Sequence, residues 1–285
     1  MTSEREIAKY FLDVPRANAH HIARMSIARA MRAVAPLARG DLVDIGCGLR
    51  PYQSLFAPHI GRYIGIDYPP TGDDRTQIDA TIYADSTHLP LRDRCADTVL
   101  TTQVLEHVPE PLHMLREAHR VLRPGGKLIM TAPFVWGEHE SPRDFYRYTS
   151  YGLRYLLGRA SLRVLDVSPL DGLYAVLGQM YLDELNIAYH TRSRRALRLV
   201  SAINSLVNRA CMFLDRRYPS ARLCRTYLVV AERVAEPSGD AVIGYDVATP
   251  RPSAVVGSTA PMTTEEHTAN DSARFGTQRR DTGVA

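Results

Sequence analysis

Between residues 41 and 133, short apolar runs alternate with segments of helical period, and this alternation restricts the possible folds more than any other feature of the chain. DLVDIGCG (41–48), RYIGID (62–67), TIYAD (81–85) and ADTVLTTQ (96–103) each read as a strand bounded by turn residues. Helical spacing returns between them, most clearly in PEPLHMLREAHRVL (109–122), where Leu112, Leu115, Ala118, His119 and Leu122 share a face. RPGGKLIMTAP (123–133) is a turn leading into another strand. Parallel neighbours need crossover connections, so strands separated by helices predict an α/β fold: a mostly parallel sheet with helices on both faces.

Flanking segments extend the pattern. Residues 3–38 read as helical, with Ile22, Met25, Ile27, Ala30, Met31 and Val34 at mixed three- and four-residue spacings and Pro36 near the stop. After residue 150, YGLRYLLGRA reads as a helix and LRVLDVSP as a strand. Residues 172–215 read as two helices with a break near His190 to Ser193, and RTYLVVAERV as a final strand. From Glu236 the chain is rich in Ser, Thr, Gly, Pro and Ala with little periodic burial, which predicts a disordered tail. The expected organisation is a helical segment over 1–38, an α/β domain over 39–235 with a helical insert at about 172–215, and a tail over 236–285.

Composition excludes several classes. Four cysteines (Cys47, Cys95, Cys211, Cys224) lie far apart without paired ligand spacing, so neither a disulfide framework nor a zinc ribbon is expected, and no metal site is predicted. Free thiols point to a reducing cytoplasm. No apolar stretch approaches the roughly 18 residues of a membrane span, and MTSEREIAKYF lacks a charged leader followed by an apolar core. Net charge is +4, but nine arginines and a single acid, Asp215, fall between Tyr189 and Arg225. Charge confined to one short region, with no base-flipping motif and no base-stacking aromatics on a basic face, argues against nucleic acid as a partner.

Chemistry concentrates at strand ends. Val43, Asp44, Ile45, Gly46, Cys47 and Gly48 form a strand running into a glycine loop, where the backbone turns sharply and N–H groups at the following helix offer donors. A dinucleotide fingerprint would place a third glycine at 51, where this chain has Pro51. Asp44 beside the loop repels a diphosphate and attracts an ammonium or sulfonium. Asp67, about 20 residues further on, can accept from both ribose hydroxyls of a nucleoside. Asp85 ends a short strand and can accept from an adenine amine, or serve as a plain turn aspartate. Three carboxylates at successive strand ends describe a pocket for a positively charged nucleoside, which points to S-adenosylmethionine.

VDIGCG, GID, ADSTHLPLRDRCADTVLTTQVLEHVPEP and LRPGGKLIMTAPF together resemble the successive motifs of class I S-adenosylmethionine-dependent methyltransferases, in the small-molecule, type 11-like branch. That resemblance covers roughly residues 40–170 and again RTYLVVAERV. It implies a Rossmann-like sheet in the order 3-2-1-4-5-7-6 with the last strand antiparallel. Asp44, Gly46 and Gly48 would hold the methionine part, Asp67 the ribose, and Asp85 with Ser86 the adenine, with Cys47 and Tyr68 also among the cofactor-binding residues. Gln103 would face the sulfonium from the end of the fourth strand. The helical insert and the tail have no counterpart in the minimal family pattern.

Methyl transfer from a sulfonium is an in-line displacement, so a base is needed only where the acceptor must lose a proton. His139, in the polar and aromatic loop GEHESPRDFYRYTSYG, is the first candidate base, and His107 is the second. Such a loop suits a hydroxyl-rich acceptor: a small molecule or a lipid-linked one, such as a sugar or specialised metabolite. In the insert, Arg198, Ser201, Asn204, Ser205, Asn208 and Arg209 recur on a polar face. Leu197, Val200, Ile203, Leu206, Val207, Cys211 and Leu214 lie on an apolar face, open to core packing, a homodimer interface or peripheral contact with an anionic inner-membrane surface. Two other functional classes stay open: a non-catalytic domain that binds the nucleoside, and a nicotinamide-dependent oxidoreductase.

Overall fold

The computed structural model describes residues 4–69, 78–189 and 193–234. The predicted disordered tail lies outside them, as do the first residues of the predicted break at His190. Helices α1 (Glu4–Phe11) and α2 (His21–Val34) precede β1 (Asp41–Ile45), the short α3 (Gln53–Phe56), β2 (Arg62–Asp67), β3 (Ile82–Tyr83) and β4 (Ala96–Thr102). Next come α4 (Pro111–Val121), β5 (Leu122–Pro133), α5 (Ser150–Arg159) and β6 (Leu162–Pro169). The chain then forms α6 (Leu173–Tyr189), α7 (Arg194–Arg217) and β7 (Thr226–Arg233).

All seven strands join one sheet in the order β3-β2-β1-β4-β5-β7-β6, matching the expected order. Pairings from β3 through β5 are parallel, and β7 runs antiparallel between β5 and β6. Central strands are buried on both faces, which is why they read as continuous apolar runs. Val43, Ile45, Val99, Leu128 and Met130 point to a core completed by Met114 and Leu115 of α4 and Leu153 and Leu157 of α5. Leu42, Leu100, Ile129, Leu228 and Val230 point the other way, against Ile27, Met31 and Val34 of α2 and Phe56 of α3. Each fully buried side chain of this size contributes about 1.5–3 kcal/mol.

The helix expected over 3–38 is interrupted. Residues 12–20 are irregular because Pro15 lacks an N–H and disfavours helix at Val14, while Asn18 Oδ1 turns the chain by accepting the His20 N–H at 2.8 Å. Without helical partners the carbonyls of this segment need donors, and the insert supplies them. Asn208 Nδ2 donates to the carbonyls of Arg16 (2.8 Å) and Asn18 (3.0 Å), Asn204 Nδ2 to Ala17 (2.9 Å), and Gln179 Nε2 to Ala19 (3.0 Å).

This corrects the reading of the insert. Its packed face centres on Val200, Asn204 and Asn208, so two residues assigned to the outer, polar face lie inside. Leu197 and Leu206, on the apolar face open to core packing, a homodimer interface or a membrane surface, are exposed and take no part in core packing. Asp215, the single acid among the nine arginines, accepts the N–H groups of Gly172, Tyr174 and Ala175 at 2.9–3.2 Å and so caps the start of α6. Among the described residues no helix is long and apolar enough to cross a membrane, and all four cysteines are free.

Candidate functional site

The carboxyl ends of β1, β2 and β4 carry the predicted loop and its partners. Gly46 (φ +71°) and Gly48 (φ +49°) both take left-handed backbone, but for different reasons. A Cβ at Gly46 would come within 2.3 Å of Val104 Cγ2, whereas one at Gly48 would meet nothing within 4 Å. Gly46 therefore allows the loop to pack against the segment after β4, and Gly48 opens onto free space.

Gly46 and Cys47 N–H groups both donate to the Ile66 carbonyl (2.8 and 3.1 Å), and the Gly48 N–H donates to Asp67 Oδ2 (2.7 Å). The loop spends its N–H groups on the end of β2, the element it must reach to close the strand ends together. Cys47 is buried, and its sulfur sits where a Cβ on Gly65 would approach within 2.8 Å. Its side chain thus packs against β2, and burial pushes its thiol well up.

Three carboxylates take three different states. Asp44 is 3% exposed; its Oδ2 accepts from the Tyr63 hydroxyl, and its Oδ1 has no hydrogen-bond partner among the described residues. Burial, partly offset by the Tyr63 bond and reinforced by nearby Asp67, raises its pKa to about 7. Asp67 uses both oxygens on backbone, Oδ2 on Gly48 and Oδ1 on the Tyr68 N–H (2.7 Å), and burial raises its pKa. Each oxygen keeps capacity for a second donor. Asp85 is exposed, and its Oδ1 accepts from the Thr87 N–H (2.8 Å) and hydroxyl (2.7 Å); these bonds hold it below the usual carboxylate range. The turn role is thus realised for Asp85, with Ser86 inside the same turn.

Gln103 follows β4 with φ +55°, and its Nε2 donates to Thr131 Oγ1 of β5 at 3.1 Å. Tyr68 is 44% exposed, with the Arg143 guanidinium 4.3 Å above its ring. Arg143 in turn offers its carbonyl to His107 Nδ1 at 2.5 Å, so the loop after β5 leans over the end of β2.

That loop brings the two candidate bases together: the His107 and His139 rings meet edge to face with centroids 4.7 Å apart. His107 closes a short 3-10 turn (Leu105–His107) ahead of α4. His139 Nδ1 lies 3.3 Å from Asp144 Oδ2 and 3.3 Å from the Gly137 carbonyl, and Asp144 also accepts the His139 N–H. A two-pronged pair with Arg147, 2.7 Å on each side, fixes Asp144 and holds its carboxyl far below the usual range.

Sequence reading missed Glu106. It is fully buried beside both histidines, and neither carboxylate oxygen has a hydrogen-bond partner among the described residues. Burial raises its pKa to about 8. The available signal was a lone acid inside the apolar run VLEHV, where burial without a partner is costly.

Residues 43–130 match a family model described as a methyltransferase domain. An uncharacterized methyltransferase of Mycobacteroides abscessus is 37% identical over 118 residues, covering 37% of this chain and 45% of its own. The 27-O-demethylrifamycin SV methyltransferase of Amycolatopsis mediterranei is 33% identical over 115 residues, covering 35% of this chain and 41% of its own. The chain thus spans less than half the length of these relatives. In fold it is similar to the crystal structure of the cyclase SpnF, with a TM-score of 0.50 at 20% identity over 75% of this chain and 82% of that one.

Proposed function

We propose that the chain, of which residues 43–130 match a methyltransferase domain, is a class I S-adenosylmethionine-dependent methyltransferase that transfers a methyl group from that cofactor to a hydroxyl of a small-molecule or lipid-linked acceptor. The observation that carries this reading is the half-partnered, buried Asp44 on the strand that runs into the glycine loop: a carboxylate oxygen without a donor suits a cationic amino-acid group. Asp67, with acceptor capacity to spare, would take the ribose hydroxyls, and Asp85 with Ser86 would take the adenine edge. Gln103 would flank the sulfonium. Bound there, S-adenosylmethionine supplies an activated methyl that an acceptor oxygen takes in line, the electrons of the broken C–S bond remaining on sulfur.

The chain's own contribution is to hold that acceptor and handle its proton. His139, oriented through Nδ1 by Asp144 and the Gly137 carbonyl, turns Nε2 into the group available to the acceptor hydroxyl; His107, held by the Arg143 carbonyl, stands beside it. The methyltransferase of Amycolatopsis acts, by its name, on 27-O-demethylrifamycin SV, an O-demethyl compound, which favours the hydroxyl reading. On the insert, Leu199, Leu206 and Phe213 are each more than 60% exposed, on a helix also exposing Arg195, Arg198, Arg209 and Arg216. That combination suits a lipid-linked acceptor reached at an anionic bilayer.

The test is an acceptor panel incubated with the cofactor and read by mass for a methyl increment. His139→Ala should lower turnover at least tenfold while leaving S-adenosylhomocysteine affinity unchanged; cofactor binding with no methyl increment on any acceptor would favour a binding domain instead. Vesicles containing phosphatidylglycerol should sediment the protein at low salt and release it at high salt; failure to sediment removes the membrane reading.

A further inference from the structure

We propose that Glu106, His107 and His139 form a binding site for a first-row divalent cation, at which the acceptor of the reaction above is held by its oxygens. One ligand atom from each of the three side chains lies within 4.8 Å of the others. Ligands at tetrahedral angles and about 2.1 Å from one ion stand about 3.4 Å apart, so the donors must draw together by up to about 1.4 Å. The loop carrying His139 is partly exposed and can supply that movement.

Three independent features suit this site to a cation. Glu106 is 0% exposed and both its oxygens lack hydrogen-bond partners, a costly state that a bound cation would relieve. His107 commits Nδ1 to the Arg143 carbonyl, and its Nε2 faces Glu106 Oε1 at 4.0 Å and Glu140 Oε2 at 3.7 Å. His139 places Nδ1 against Asp144 and the Gly137 carbonyl. Metal-binding histidines characteristically give their second nitrogen to a carboxylate or a backbone carbonyl, which sets the tautomer and aims the ring. Here both rings are so held before any ion arrives.

Two imidazoles and one carboxylate suit zinc, manganese, cobalt or ferrous ions better than magnesium or calcium, which prefer oxygen throughout. Three protein donors leave positions open for an acceptor. This clause rests on the methyl-transfer reading: an acceptor with two adjacent oxygens, such as a vicinal diol or a hydroxy-carbonyl, would chelate the ion. Its bound hydroxyl would then lose a proton to solvent near neutral pH before the oxygen takes the methyl. The two histidines would thus act on the proton as ligands.

The test is a cobalt(II) titration of the chelator-treated full chain, followed by calorimetry and by visible absorption, with S-adenosylhomocysteine binding measured on the same samples. One cobalt per chain is expected, weakened at least tenfold in both Glu106→Gln and His139→Ala, and unchanged in His113→Ala, an exposed histidine of α4. His139→Ala, on a loop, guards against loss of folding in Glu106→Gln. Absence of a one-to-one complex in the wild type, or wild-type affinity in His139→Ala, overturns the site. S-adenosylhomocysteine binding without cobalt binding would sink the metal site alone, and cobalt binding without S-adenosylhomocysteine binding would sink the cofactor reading alone.

Discussion

Asp67 Oδ2 accepts the Gly48 N–H at 2.7 Å, so the carboxylate expected to meet a ribose is also the clasp that closes the glycine loop onto β2. Asp67→Ala should therefore fail in two ways. Freeing the Gly48 and Tyr68 N–H groups should cost about 1–3 kcal/mol of stability, and S-adenosylhomocysteine affinity should fall more than tenfold. Asp67→Asn keeps one acceptor oxygen and should recover part of the stability but little of the affinity. Thermal unfolding and calorimetry on the two variants separate these effects.

Gly46 and Gly48 make opposite predictions despite similar backbone. Gly46→Ala drives a Cβ to 2.3 Å from Val104 and adds left-handed strain, so stability should drop by more than about 2 kcal/mol. Gly48→Ala meets no protein atom, so stability should fall only by about 1 kcal/mol from strain, while cofactor affinity should fall severalfold as the methyl enters the open space. Denaturant unfolding paired with ligand titration distinguishes the two; equal affinity in Gly48→Ala and wild type would place the cofactor elsewhere.

Asp44 should write a pH dependence into folding. Below about pH 3.8 both folded and unfolded chains hold its proton; as pH rises the unfolded chain loses it first, and the folded chain keeps it to about pH 7. The folded state binds the extra proton in that window, so stability should fall as pH climbs through it and level off above, by at most about 4 kcal/mol. Asp44→Asn should flatten this slope. If Asp44 pairs with the cofactor's ammonium, wild-type affinity should increase toward pH 8, and Asp44→Asn should lose that increase.

The order of strands, the glycine loop and the carboxylates at the ends of β1 and β2 were legible because strand period, turn glycines and spacing are local signals. Three features were not. Pro15 and Asn18 break the first helix within a window of good helical periodicity. Asn204 and Asn208 face inward because carbonyls 187 and 192 residues earlier in the chain need donors, a demand invisible on the helix itself. Glu106 and His139 lie more than 30 residues apart, so their meeting depends on how the loop after β5 folds back, with Phe145 N–H held by the Glu106 carbonyl at 2.9 Å.

The inward asparagines carry a prediction of their own. Asn208→Leu conserves bulk but takes the side-chain donor from the Arg16 carbonyl and leaves the Asn18 carbonyl with the His21 N–H alone, and should cost about 1–3 kcal/mol. Faster amide exchange should appear over residues 12–20 while the β1–β4 region keeps its protection. Unchanged exchange there would mean that the insert does not anchor this segment.

Calorimetric titration of the whole chain with S-adenosylhomocysteine is the most direct test of the strand-end site. One molecule should bind per chain with micromolar or tighter affinity in the wild type, and Asp67→Ala should lose most of the heat while remaining folded. A folded wild-type chain that gives no heat with this compound, or an Asp67→Ala variant that binds it as well as the wild type, would contradict the assignment of these carboxylates to the cofactor.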